Sequence, residues 1–224
     1  MEQLDQSASP LFTPEEARVL ACLMEKQLTT PNNYPLTIHS LMLACNQKSS
    51  REPIMTLTEG EVGRMVNQLA DRGFTSIEYG ERANRVYHKM RGKLRLDPKQ
   101  QAVMNVLMLR EPQTANEIKQ RTERMAEFSG IDEIVAVLEE FMTRVVPLAV
   151  RFPAATGRRE DRYSHTLCGA VTLPDTEQAE VRGERSGAAT ARIDALEQRI
   201  ALLEARLSAL ENPAIPAEAR PGSP

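Results

Sequence analysis

Residues 58–89 run TEGEVGRMVNQLADRGFTSIEYGERANRVYHK. The apolar pattern changes once within this stretch, and the change sets the fold. Val62, Met65, Val66 and Leu69 lie on one stripe of a helix. Thr58 and Glu61 have capping-box spacing at its start, and Gly73 is placed to end it. Beyond the glycine, residues 74–79 and 85–89 predict two strands joined by the turn-rich segment 80–84. A helix followed by a β-hairpin is the closing half of a winged helix-turn-helix.

The opening half lies upstream. Thr13, Pro14 and Glu16 start a first helix, whose buried stripe is Ala17, Leu20, Leu23, Met24 and Leu28. Residues 29–33 form a loop, and a second helix spans about 35–45 with Ile38, Leu41, Met42 and Cys45 on one face. Residues 53–56 predict a short edge strand.

The same order recurs downstream. Asp97 and Pro98 open a helix bearing Val103, Val106 and Leu107, and Thr114 with Glu117 boxes the start of another. Ser129 and Asp132 are candidate caps for a third, with Ile131, Ile134, Val135, Leu138, Phe141 and Met142 as its stripe. Residues 148–152 and 162–167 are strands flanking a polar wing, and RVYH at 85–88 is echoed by RYSH at 162–165. The predicted class is mainly α with small β-hairpins (α+β): two tandem winged helix-turn-helix domains plus a C-terminal coiled-coil helix. The expected divisions are a flexible N-terminus at 1–11, domains at 12–95 and 96–168, a linker at 169–187, the coil at 188–211 and a disordered tail at 212–224.

The coil rests on heptads. Ile193, Leu196, Ile200, Leu203, Leu207 and Leu210 alternate spacings of 3 and 4, with Ile or Leu at position a and Leu at d. Arg192, Arg199 and Arg206 fill g, while Glu197, Glu204 and Glu211 fill e. A parallel homodimer pairs each arginine with a partner glutamate five residues on; an antiparallel one opposes like charges. Support within one chain would place opposite charges three or four apart. Leu202, at an outward position, argues mildly for a helix lying on its own domain instead.

Charge divides the two domains. The net charge of −3 does not itself suggest a nucleic-acid binder. The third helix of the first domain, however, turns Gly60, Gly63, Arg64, Asn67 and Gln68 outward, residue types suited to base edges or close approach. Its wing region, residues 79–95, sets Arg82, Arg85, Lys89, Arg91, Lys93 and Arg95 against Glu81 alone. A solvated basic hairpin is the competing explanation. In the second domain, residues 130–144 carry Asp132, Glu133, Glu139 and Glu140 against Arg144, and the wing sets Arg151, Arg158, Arg159 and Arg162 against Glu160 and Asp161. That domain is expected to pack or to meet protein.

No catalytic constellation stands out. His39, His88 and His165 are far apart, no Cys or His pair has metal-ligand spacing, and no phosphate loop or nucleophile elbow occurs. No enzyme activity, metal or cofactor is therefore expected. The N-terminus has no signal-peptide character, no run of apolar residues is long enough to span a bilayer, and three scattered cysteines suit a reducing cytoplasm. The expected role is a dimeric, DNA-associated transcriptional regulator acting through the first domain. The alternative is a protein-assembly module whose winged helices bind protein.

The strings LTTPNNYPL at 28–36, ACNQKSSREP at 44–53 and RREDRYSH at 158–165 resemble the YceH family of bacterial proteins. The resemblance implies a tandem winged-helix fold and no particular activity. It draws attention to Asn46, Gln47, Lys48, Arg51 and Glu52 as a contact loop, or as residues that hydrogen-bond a long turn into place.

Overall fold

The computed structural model describes residues 10–80, 83–154 and 159–171, all within one compact unit. Arg82, Arg158 and the heptads at 188–211 lie outside the described residues, as do most of the linker and the whole C-terminal tail.

The first helix, α1 (Pro14–Thr29), starts where its capping residues stand: Glu16 N–H donates to Thr13 Oγ1, and the Glu16 carboxylate accepts from Thr13 N–H at 3.0 Å. A short 3-10 turn, Pro31–Asn33, precedes α2 (Ile38–Cys45). This helix starts three residues later than its pattern suggests, because Thr37 caps it and Leu36 is used elsewhere. Leu36 bridges the hairpin, its carbonyl accepting from Val86 N–H at 2.8 Å.

The third helix, α3 (Glu59–Asp71), has the Thr58–Glu61 capping box. At its end Gly73 takes φ +73°, where any side chain is strained. Gly73 N–H donates to Ala70 O and Phe74 N–H to Leu69 O, closing a Schellman turn that sends the chain into the hairpin. Strands β1 (Thr75–Glu78) and β2 (Arg85–His88) pair antiparallel, Thr75 opposite His88. Residues 53–56 form no strand. Glu52 N–H is spent on Leu109 O at 2.9 Å, and Leu57 is tied to Asn46, so this stretch is held away from the sheet.

A single turn of helix, α4 (Met90–Lys93), anchored by buried Met90, leads into the repeat. Its helices are α5 (Pro98–Leu109), α6 (Ala115–Thr122) and α7 (Ile131–Thr143). Asp97 with Gln100 and Thr114 with Glu117 complete capping boxes. Gly130 rather than Ser129 occupies the cap of α7, and Ser129 instead donates from N–H and Oγ to the Glu133 carboxylate. Strands β3 (Gln113–Thr114), β4 (Ala149–Phe152) and β5 (Arg162–His165) form an antiparallel sheet in the order β3-β5-β4.

The fold is mixed α+β, with seven α-helices and two small antiparallel sheets among the described residues. The halves share one core. In α1 residues 16–24 are all buried, and in α5 residues 100–109 are all buried, so neither helix has merely one apolar stripe. The two lie against each other, with Asn105 Nδ2 donating to Ala21 O at 2.6 Å. Each also serves its own half, which leaves no face for solvent. Phe12 N–H donates to Leu167 O at 3.0 Å, tying the start of the described chain to the end of the second half.

Candidate nucleic-acid interface

In α3 the two sides of the sequence pattern separate cleanly. Val62, Met65, Val66 and Leu69 are buried, while Gly60, Arg64, Asn67 and Gln68 are exposed and Gly63 is half-exposed. Among the described residues, the side chains of Arg64, Asn67 and Gln68 form no hydrogen bond with the protein, so their donors and acceptors face solvent. A Cβ at Gly60 would meet nothing within 4 Å, and one at Gly63 only Ile38 Cγ2 at 3.9 Å. Internal packing therefore requires neither glycine. The helix also carries acids that the sequence pattern understates. Glu61 folds back onto Thr58 as a cap, and Glu59 lies 3.1 Å from His39 Nδ1. Both belong to the first turn, where the helix dipole favours them, and the Arg64–Gln68 face lies beyond.

The basic residues of the hairpin are not gathered on that helix. Arg85 donates to Pro35 O at 2.9 Å and remains exposed. Lys89 and Arg91 line a depression of about 650 Å³ with Lys93, Gln27 and Gln101, and none of the α3 candidates lines it. At its edge His88 Nε2 donates to Gln27 Oε1 at 2.8 Å, leaving Nδ1 buried and unpartnered. Burial pushes His88 down to about 4, so the ring is neutral near pH 7. The second hairpin differs, since Arg151 pairs with Asp161 and Arg162 with Glu117.

The loop candidates divide. Gln47, Lys48 and Glu52 are exposed, whereas Asn46 and Arg51 are consumed internally. Asn46 Nδ2 donates to Leu57 O and its Oδ1 accepts from Leu57 N–H, each at 2.8 Å. Arg51 is 2% exposed; it donates to Ala44 O, Ser50 O, Gln47 Oε1 and both carboxylate oxygens of Glu25. It therefore has no surface to offer a partner and serves to hold the turn between α2 and α3.

Beside Arg51 lies a buried group that the apolar-stripe reading of α1 missed. Arg18, 1% exposed, donates to Cys45 O at 3.3 Å and Pro53 O at 2.7 Å, while its Nε has no partner. Cys22 and Cys45 are both fully buried, and the Cys22 thiol donates to Ala44 O at 3.4 Å. Burial works to raise the Cys22 thiol, but the hydrogen bond from Cys45 and the charges of Arg51 and Arg18 hold it below its ordinary value. The bond to Cys22 and then burial push Cys45 up. Burial likewise works to raise Glu25, and the Arg51 hydrogen bonds outweigh it. The sequence signal was present: Arg18, Cys22 and Glu25 form a second helical stripe, spaced 4 and 3. Among the described residues no three His, Cys, Asp or Glu side chains cluster as metal ligands, and no helix is long and apolar enough to cross a membrane.

Residues 12–158, which include both three-helix segments, match the family described as "Protein of unknown function, DUF480". The chain belongs to this family. DUF480 membership agrees with the resemblance carried by the 28–36 and 44–53 strings. Similar whole-length proteins include a UPF0502 protein of Pseudomonas fluorescens strain Pf0-1, 44% identical over 92% of this chain and 96% of its own. Another, from Cellvibrio japonicus, is 44% identical over 90% and 92%, and one from Mesorhizobium japonicum is 42% identical over 90% and 97%. The heptads at 188–211 fall outside the DUF480 match.

Proposed function

We propose that this chain is a non-enzymatic tandem winged-helix protein of the cytoplasm, a transcriptional regulator that binds duplex DNA through its first half. The observation that carries this reading is the solvent face of α3, where Arg64, Asn67 and Gln68 hold unspent hydrogen-bonding groups beside two glycines that packing does not require. In a major groove, Arg64 is suited to guanine O6 and N7, and Asn67 or Gln68 to adenine. Gly60 and Gly63 let the helix backbone come close. Arg82, Arg85, Lys89 and Arg91 are assigned to phosphates. The heptads at 188–211 supply the second protomer of a parallel dimer, as two-fold DNA half-sites require.

The test is fluorescence anisotropy with duplex DNA as salt is raised. Affinity is expected to fall steeply along a straight log–log line. Joint replacement Arg64→Ala and Asn67→Ala is expected to weaken specific binding by about 10–100-fold, the order lost with one or two base contacts. Salt-independent binding, or an unaffected variant, removes α3 from the role. A chain ended at residue 187 is expected to have half the mass of the full chain by light scattering; an unchanged mass removes the coil.

A second reading, protein assembly without DNA, is favoured by the surface around α7. Asp132 and Glu139 are exposed there, and just past the helix Val145 is wholly exposed and Val146 largely so. Acidic side chains repel phosphate, and exposed apolar pairs suit a protein partner. Absence of salt-sensitive DNA binding in the same titration would turn the assignment to this surface.

A further inference from the structure

Four elements meet around the depression of about 650 Å³ beside the first hairpin: the end of α1, the close of β2, α4 and the start of α5. Its inner wall is polar and fixed. His88 and Gln101, 8% and 2% exposed, both donate to Gln27 Oε1, at 2.8 and 2.9 Å. With that oxygen taken twice, Gln27 Nε2 and Gln101 Oε1 have no protein partner among the described residues. Neither has His88 Nδ1, a buried acceptor in the same wall. The rim is cationic. Lys89, Arg91 and Lys93 are exposed and form no ion pair among the described residues, and no Asp or Glu lines the depression with them. Arg91 spends only Nε, on Leu96 O at 3.3 Å, and Lys93 Nζ lies 5.5 Å from the Phe74 ring centre. Three like charges repel one another, and an anion seated among them removes that repulsion. A merely solvated basic hairpin would need no buried polar wall beneath it.

We infer that this depression binds a small organic phosphate, its phosphate group among Lys89, Arg91 and Lys93 and its polar organic part against Gln27 and Gln101. Charge selects the phosphate. A phosphate monoester carries close to two negative charges near neutral pH and three strong acceptor oxygens. That suits two ammonium groups and the free end of a guanidinium better than a single carboxylate does. Size selects the organic part: the volume lies within the range of about 300–1,000 Å³ typical of small-molecule sites, and a bare phosphate would leave most of it to water. The wall makes that part polar. Gln27 Nε2 can donate and Gln101 Oε1 can accept, so hydroxyl or amide-like groups are favoured over hydrocarbon. The DNA reading gives Lys89 and Arg91 to backbone phosphates, so an occupant competes with duplex DNA for those two cations and leaves α3 untouched. That competition rests on the DNA reading; binding of the small phosphate does not.

The test is isothermal titration calorimetry of the full-length chain, without DNA, against adenosine monophosphate, ribose phosphate, inorganic phosphate and adenosine. At least one of the two esters is expected to bind about tenfold or more tighter than inorganic phosphate, and adenosine not to bind. Joint replacement Lys89→Ala and Arg91→Ala should weaken the ester about tenfold or more. Arg64→Ala with Asn67→Ala should leave ester binding unchanged, which keeps a failure here distinct from a failure of the α3 assignment. Lysine acetylation of the wild-type chain gives a second readout that needs no variant to fold: the bound ester should protect Lys89 and Lys93 and not Lys48. No saturable binding of either ester, equal affinity for inorganic phosphate, binding untouched by the Lys89 and Arg91 replacement, or equal protection of Lys48 would overturn the inference.

Discussion

The two halves share a skeleton and differ in how they join its parts. Helices α2 and α6 have 8 residues each, and α3 and α7 have 13 each. The turn between α6 and α7 is short, closed by Met125 and Ala126 N–H on Thr122 O and by Ser129 on Glu133. The corresponding first-half turn, residues 46–58, is longer and rests on two buried arginines, a carboxylate and Asn46. A protein that needed only a second structural copy could have used the cheap turn twice. The lesson is that polar interior was placed in the half whose third helix also carries an unspent hydrogen-bonding surface. That half is under demands which the other does not share.

The largest effect that would sharpen this contrast is on stability. Arg51→Met leaves Glu25 without its main partner in the interior, and the expected loss is about 3 kcal/mol in urea unfolding. Arg124→Met, in the exposed second turn, should stay within about 0.5 kcal/mol. Equal losses would erase the distinction between the turns.

Acid probes what the halves have in common. His88 and His165 end the returning strands of the two hairpins, and burial pushes each down to about 4. His165 Nδ1 also accepts from Leu167 N–H, which an imidazolium ring could not do. Because both folded values lie below that of the unfolded chain, about 6.5, their contribution is complete above that value. It is lost as pH falls from there towards 4, by up to about 3 kcal/mol for each ring. His88→Gln and His165→Gln should each flatten that part of the stability–pH curve. A curve unchanged by both would show that neither ring is held neutral.

The smallest expected effect separates folding from function within α3. Helix α7 has no internal glycine, whereas Gly63 sits in α3 with room for a methyl group. Gly63→Ala should stabilise the protein by about 0.5–1 kcal/mol while lowering duplex affinity. A stabilised variant with full affinity would mean that no close approach occurs there.

Much of the skeleton was legible in the residues. The three capping boxes of the first half's outer helices and α6, the Schellman glycine at 73 and the turn-rich segment between the two hairpin strands are local features, and each element formed within a few residues of its signal. The outward Arg64–Gln68 face was legible for the same reason, since a 3.6-residue period names both sides of a helix at once. The strand expected at 53–56 did not form, because Leu109 and Asn46 claim its neighbours' backbone groups, and those claims come from distant residues.

What the sequence by itself determined, then, is local: caps, periods, turn residues and the repeated order of helix, helix, helix and hairpin. Those depend on contacts within a few residues. Only the tertiary structure decided that α1 and α5 are buried on every side, that Arg51 takes up the Glu25 carboxylate, and that Arg18 is buried against the carbonyls of Cys45 and Pro53. Each of these brings together groups more than 20 residues apart, and burial turns ordinary surface residue types into charges that must find partners.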